Sequence, residues 1–320
     1  MAGNVFIINS YMWLHSFYSK NLPGNGETVT ASRYRTSGGG KGAGQAFAAA
    51  FEGAHVEVLG RVGDDQPGYT CREQLESVGI GTQFLQFDKD VPSGCGSIMQ
   101  DDFGGNAIAI YPGASNFFCP ADFDLAAAYI KTCKAGGFQL EVNVDTVFYA
   151  IRESHKMGVR TLLDPAPVAE IPGDLFGFIS FIKPNEHEAS LLTGIEVTDH
   201  ESAKEAGRFL LNKGIREAAI ITLGDKGCVL VTPEGSKSYP APKIKVLDPC
   251  CAGDSFAGSF VAAIAAGKTI EQATEQAICL AALTVARQGS MYNCYHDCHE
   301  LHAEISAGFY DIMRKSTTPP

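Results

Sequence analysis

The chain reads as an α/β protein built on a mainly parallel sheet, and three observations lead there. Short apolar runs with strand character alternate with helical stretches. Two glycine-rich loops each run into a helix. A length of 320 residues with 45% hydrophobic content can bury one large core, with or without a small appendage, so two independent folds are not required.

In chain order, residues 5–8 form the first short apolar strand, residues 45–52 open a helix, and residues 56–59 are the next strand. The alternation then pauses. Residues 11–36 and 94–111 carry extended runs broken by turn residues such as Gly104, Gly105 and Asn106. It resumes with strands at 159–163, 178–182, 218–222 and 228–231 and a helix over 201–213, the pattern of a sheet covered on both faces. The tail from 313 to 320 is expected to fray.

A net charge of −11, with no basic run and no interleaving of basic and aromatic residues, argues against nucleic acid and against an anionic membrane as partners. Residues 1–10 lack a charged leader, and no segment approaches about 18 uninterrupted apolar residues, so a cytoplasmic protein is expected. The ten cysteines are scattered without a CxxC pair, which suits small buried hydrophobes in a reducing compartment. Cys294, His296, Cys298, His299 and His302 are metal-ligand types, but their spacing is no standard zinc pattern, and a polar helix start is the simpler expectation.

Chemistry concentrates in the run Asp248, Pro249, Cys250, Cys251, Ala252, Gly253, Asp254, Ser255 and Phe256. Small residues and a carboxylate stand together where a loop enters a helix. A helix N-terminus offers unpaired N–H groups and partial positive charge to phosphate oxygens, and Gly253 leaves the approach open. Asp254 is placed to take a proton from a hydroxyl while the amides of Cys251, Ala252 and Gly253 stabilise the moving phosphoryl group. The bland alternative is an Asp-Pro turn before a helix whose first turn carries an acid to suit the dipole. A second glycine-rich loop, Gly38, Gly39, Gly40, Lys41, Gly42, Ala43 and Gly44, enters an alanine-rich helix, where its backbone can approach a polyhydroxylated ligand.

With these two motifs in their order and spacing, the chain resembles the ribokinase-like (PfkB) carbohydrate kinase family, whose signatures are a GGKGANQA-like and a DTTGAGD-like stretch. The likeness runs from about residue 5 to about residue 289, through Gly26-Glu27-Thr28, Gly63-Asp64-Asp65, Asp164-Pro165, Pro184-Asn185-Glu186-His187-Glu188 and Thr222-Leu223-Gly224-Asp225-Lys226-Gly227. It implies a ribokinase-like three-layer α/β/α fold with a small β-sheet lid. Residues 1–10, 38–92 and 112–312 would form the kinase domain and residues 11–37 and 93–111 the lid, through which a homodimer can form.

The resemblance implies an ATP-dependent sugar kinase using Mg2+. Asp254 matches the catalytic base. Asn185 and Glu188 match an Asn-x-x-Glu element near magnesium and the phosphates, where the alternative is an ordinary helix cap. Thr222, Gly224 and Gly227 match a strand-to-turn element beside the nucleotide, and Gly39, Gly40, Lys41 and Glu141 match sugar contacts. Asp248, with carbonyls near Cys250, Val285 and Gly289, corresponds to a monovalent-cation site, which suggests K+.

Departures from the family pattern gather at the substrate. The early sugar-binding Asp aligns with Leu14, two residues after Met12, and an apolar group cannot replace its hydrogen bonds to hydroxyls. Gly44 stands where the glycine motif has Asn. The pocket is therefore expected not to suit ribose. Tyr11 and Trp13 are either stacking surface for a sugar face or ring, or lid packing, and His15 is a candidate polar substitute for the lost Asp. Cys251 replaces the first Gly of the second signature, while Pro249 and Cys250 stand at its Thr positions; a backbone anion hole tolerates such changes. The alternatives are a nucleoside or other ring-alcohol kinase on the same fold, and a non-catalytic ligand-binding relative.

Overall fold

The computed structural model describes residues 3–287, residue 295 and residues 298–317. The large sheet begins with β1 (Asn4–Asn9); the lid supplies β2 (Met12–Ser19) and β3 (Arg33–Gly39), and α1 (Lys41–Phe51) follows at once. Next come β4 (His55–Gly63), α2 (Gln66–Ser77), β5 (Gly81–Asp88), then the lid strands β6 (Gly94–Asp101) and β7 (Asn106–Tyr111). The chain continues through α3 (Pro120–Leu125), α4 (Ala127–Ile130), β8 (Ala135–Gln139), α5 (Val144–Lys156), β9 (Arg160–Asp164), β10 (Phe181–Ile182) and α6 (Glu186–Thr193). It ends with α7 (His200–Lys213), β11 (Ala218–Thr222), β12 (Cys228–Thr232), β13 (Gly235–Tyr239), α8 (Ala252–Ala265), α9 (Ile270–Val285) and α10 (His299–Thr317).

The large sheet has the order β13-β12-β11-β10-β9-β8-β1-β4-β5, with β12 alone running against the other strands, so that its pairings with β11 and β13 are antiparallel. Side chains alternate across it. Val5, Ile7, Phe181 and Ile220 enter one core with Ala46, Phe260 and Ile278 from α1, α8 and α9. Phe6, Ile8, Ile182 and Ile221 enter the other with Val147, Ile151 and Leu210 from α5 and α7. Three layers result, as expected. Phe6 meets Phe138 edge to face at 5.5 Å, and the close approach is why β8 carries glycine beside it: a Cβ on Gly136 would collide with the Phe6 ring.

From β1 the sheet grows one way through β4 and β5 and the other way through β8 to β11. The carboxyl ends of β1 and β8 therefore flank the point where strand order reverses, the crevice in which α/β sheets bind ligands. The separate lid sheet, β3-β2-β6-β7, rises beside it.

Three expectations shift. Helix α1 starts at Lys41 rather than 45, because groups distant in sequence cap it. Between 178 and 182 only Phe181 and Ile182 are strand; the Thr161 hydroxyl takes the N–H of Ser180 at 3.0 Å and donates to the Phe178 carbonyl at 3.2 Å, replacing ladder bonds. Helix α10 runs to Thr317, past the expected fraying point at 313, and residues 318–320 lie outside the described residues.

Cys294 and His296 also lie outside them. His299 stacks on Phe51 at 4.8 Å and His302 meets the same ring edge-on, so these histidines dock α10 on α1. Among the described residues no three His, Cys, Asp or Glu side chains group to hold a metal, and no helix is long and apolar enough to cross a membrane.

Candidate active site

The glycine-rich loop is assembled by side chains from other strands. Gly40 caps α1 with φ 114° and no side-chain bond, and a Cβ there would strike the Ser10 carbonyl, so only glycine fits. The capping carboxylate comes instead from Glu141, just past β8: its Oε2 takes the Lys41 N–H at 2.8 Å and the Ser10 hydroxyl at 2.8 Å. Ser10 Oγ accepts the Gly42 N–H at 2.9 Å. Gln139 aims Glu141 by accepting its N–H at 2.7 Å while donating to the Ile8 carbonyl at 3.1 Å.

This places the Lys41 ammonium 3.6 Å from Asp254 Oδ1 on the first turn of α8. Burial, reinforced by the charges of Asp164 and Glu141, pushes the Asp254 carboxyl up to about 7, and Lys41 and Lys183 pull against it. Burial works to lower the Lys41 pKa, but Asp254, Asp164, Glu141 and Glu188 outweigh it and hold the ammonium above its ordinary value. Asp254 Oδ1 is buried and accepts no hydrogen bond among the described residues. An acidic oxygen with raised basicity, beside a cation and at a helix N-terminus, suits proton removal from a hydroxyl.

Sequence reading passed over Lys183. Its ammonium lies 3.2 Å from Asp164 Oδ1 and donates to the Gly253 carbonyl at 3.2 Å, while Gln45 donates to Asp164 Oδ2 at 3.3 Å. The signal available was a lysine next to the Pro-Asn-x-x-Glu element.

Helix α8 starts from Cys251 at φ 66°, ψ 4°, the single non-glycine residue of positive φ among the described residues. Glycine, which the family signature has here, adopts this conformation freely, whereas cysteine bears about 1–2 kcal/mol of strain there. Past it, Ala252 and Gly253 present first-turn amides.

Asn185 and Glu188 form a reciprocal cap on α6. Asn185 Oδ1 accepts the Glu188 N–H at 2.9 Å, and the Glu188 oxygens accept from the Asn185 N–H and Nδ2, each at 2.9 Å. Asn185 bridges to Thr222, whose N–H donates to the Pro184 carbonyl at 3.0 Å. Gly224 (φ 54°) and Gly227 (φ 91°) shape the turn after it. These five residues therefore meet at the ends of β10 and β11, and Glu188 contributes to the field on Lys41.

In the lid, Met12 pairs with Gly39 and Gly94, and Leu14 with Ser37 and Gly96. A Cβ on Gly39 would lie 2.6 Å from Leu14 Cδ1, so the leucine rests on the glycine that leads into Lys41. Tyr11 is buried at 2% exposure in the core, and half-buried Trp13 packs against that core. His15, with Nδ1 2.7 Å from the Tyr34 hydroxyl, shares a strand with Leu14 at odd spacing and so faces the opposite side; it is no substitute for an acid at 14. Gly44 lines a crevice with Tyr11, Gly38 and Phe47.

Asp248 and Val285 are adjacent. The Val285 carbonyl accepts the N–H groups of Leu247 (2.7 Å) and Asp248 (3.2 Å), and Asp248 Oδ1 accepts the Cys250 N–H at 3.0 Å. Both lone pairs of that carbonyl are thus engaged, and Gly289 lies outside the described residues.

A sequence profile described as the pfkB family of carbohydrate kinases matches residues 3–298. A deoxyribokinase of Salmonella typhi is 34% identical over 288 residues, 90% of this chain and 94% of that protein. The ribokinase of Mus musculus is 33% identical over 298 residues, 90% and 91% of the two chains. The solved ribokinase of Arabidopsis thaliana, complexed with ribose and ATP, matches with a TM-score of 0.85 at 25% identity, over 96% of this chain and 99% of that one.

Proposed function

The chain belongs to the pfkB family of carbohydrate kinases, and on that premise we propose that it transfers the γ-phosphoryl group of Mg-ATP to a hydroxymethyl group of a small carbohydrate other than ribose. The observation that carries this reading is Asp254, buried, raised to about 7 and 3.6 Å from Lys41 at the start of α8. Asp254 takes the hydroxyl proton as the oxygen attacks, and the first-turn amides of Cys251, Ala252 and Gly253 stabilise the charge on the phosphoryl group. Lys41 opposes the rise in the Asp254 pKa and so favours the ionised carboxylate.

Asn185 and Glu188 fit magnesium in donor chemistry, since that ion keeps most of its waters and takes one or two carboxylates beside phosphate oxygens. Magnesium would supply charge neutralisation across the phosphates. Thr222, Gly224 and Gly227 border the nucleotide. The monovalent site fits less well: with the Val285 carbonyl engaged by two N–H donors, Asp248 and Cys250 remain as its described part, and no step is routed through potassium.

Met12 and Leu14 support an acceptor with fewer hydroxyls than ribose toward β2, in keeping with a relative named deoxyribokinase. The same apolar face favours a nucleoside or other ring-bearing alcohol as the second reading. A silent binding protein would have no need of a base poised near neutrality. The exposed Ile108, Ile110 and Tyr111 on β7 support a homodimer through the lid, and ten cysteines without disulfide spacing support a cytoplasmic site of action.

The test is ADP release from Mg-ATP over pentoses, deoxypentoses, hexoses, sugar acids, polyols and nucleosides, with and without potassium, using Asp254→Asn as the blank. A saturable acceptor establishes the kinase. A silent panel in which ligands still raise the melting temperature favours the binding protein.

A further inference from the structure

The strained turn at Cys251 is held from behind. Its carbonyl accepts both the N–H and the hydroxyl of Ser255, each at 2.9 Å. The Ser255 oxygen is 2.7 Å from the Tyr295 phenol and 2.7 Å from the Thr284 hydroxyl of α9. With its own proton given to Cys251, Ser255 accepts from Tyr295 and Thr284, and the Thr284 proton has a second acceptor in the Leu280 carbonyl at 3.0 Å. Ser255 and Thr284 are fully buried, and the Tyr295 ring stacks on Phe51 at 4.9 Å. Hydroxyls donating in one direction through a low-dielectric interior strengthen one another.

We propose that this relay, Tyr295 to Ser255 to the Cys251 carbonyl, keeps the first turn of α8 in its left-handed start, and that Tyr295 is a positioning residue for phosphoryl transfer. The proposal rests on the kinase reading of that turn. Glycine would hold φ 66° without help, whereas cysteine gains by relaxing to negative φ. Relaxation would swing the Ala252 and Gly253 amides away and shift Asp254, the neighbour of Ser255. The loss would fall on the chemical step and spare acceptor binding, which the Glu141 side of the crevice carries.

A double-mutant cycle of Tyr295→Phe and Cys251→Gly tests this, with an acceptor from the panel above. Phenylalanine keeps the stack on Phe51 and removes only the hydroxyl. Tyr295→Phe is expected to lower kcat about tenfold and to leave acceptor KM within about twofold. In the Cys251→Gly background the same change is expected to cost less than about twofold, because the backbone holds the turn unaided. Equal losses in both backgrounds, or a loss confined to KM, overturn the relay. A wild-type protein that phosphorylates nothing defeats the kinase reading separately. The relay is then judged by the same cycle in urea unfolding free energies, where coupling supports it and additivity overturns it.

Discussion

Lys183 ties Asp164 to the start of α8: its ammonium lies 3.2 Å from Asp164 Oδ1 and 3.2 Å from the Gly253 carbonyl, with both side chains at most 4% exposed. The pair does two things. It fixes the end of β9 against the first turn of α8, and it supplies one of the two cations that restrain the rise in the Asp254 pKa.

Removing the cation alone leaves a buried carboxylate without its partner, so Lys183→Met is expected to cost about 3–5 kcal/mol of stability. Urea unfolding measures it. A loss under about 1 kcal/mol would show that water or rearrangement satisfies Asp164, contrary to a dry ion pair.

Asp254→Asn keeps volume and removes the proton acceptor, so kcat is expected to fall about 10²–10⁴-fold while the ATP dissociation constant changes little. Isothermal titration with ATP and a turnover assay separate the two. Substantial residual turnover would move the base assignment elsewhere.

Much of this site was legible, and the division has a physical basis. Glycine at 39 and 40 answers close approaches of Leu14 and Ser10, and the roles proposed for Gly253 and Asp254 are likewise local demands that leave local traces. The Asn185–Glu188 cap is likewise written within four residues. Lys183 pairing with Asp164, or Glu141 capping α1 across 100 residues, depends on strand order, which no local window contains. The start of α1 was misplaced for the same reason. His15, by contrast, was readable: strand alternation already puts it on the face opposite Leu14.

The raised Asp254 pKa carries a sign for both rate and stability. With Asp254 as the proposed base its deprotonated form is the active one, so kcat/KM is expected to climb with pH to a plateau above about 7. For stability, the folded carboxyl binds its proton more tightly than the unfolded one, whose value is near 3.8, so folding loses stability as pH rises from about 4 to about 7. Lys41→Met removes an attraction that lowers this pKa and should move the kinetic limb to higher pH. A rate profile flat between about pH 5.5 and 8.5, unmoved by Lys41→Met, would sink the assignment.

Leu14 is the proposed lever on acceptor choice. It lies across Gly39 and Gly96, its methyls within 2.6 and 2.8 Å of where their Cβ atoms would be, so polar groups of an acceptor brought against this patch lose water without gaining a partner. Leu14→Asp restores a carboxylate able to accept from two hydroxyls, and the half-buried strand position leaves it room to stay solvated. The ratio of kcat/KM for ribose over 2-deoxyribose is therefore expected to rise at least about tenfold in the variant, the scale on which a polar contact discriminates acceptors. An unchanged ratio with both sugars still phosphorylated would mean that β2 does not touch the acceptor, and that discrimination comes from the Gly44 and Glu141 side instead.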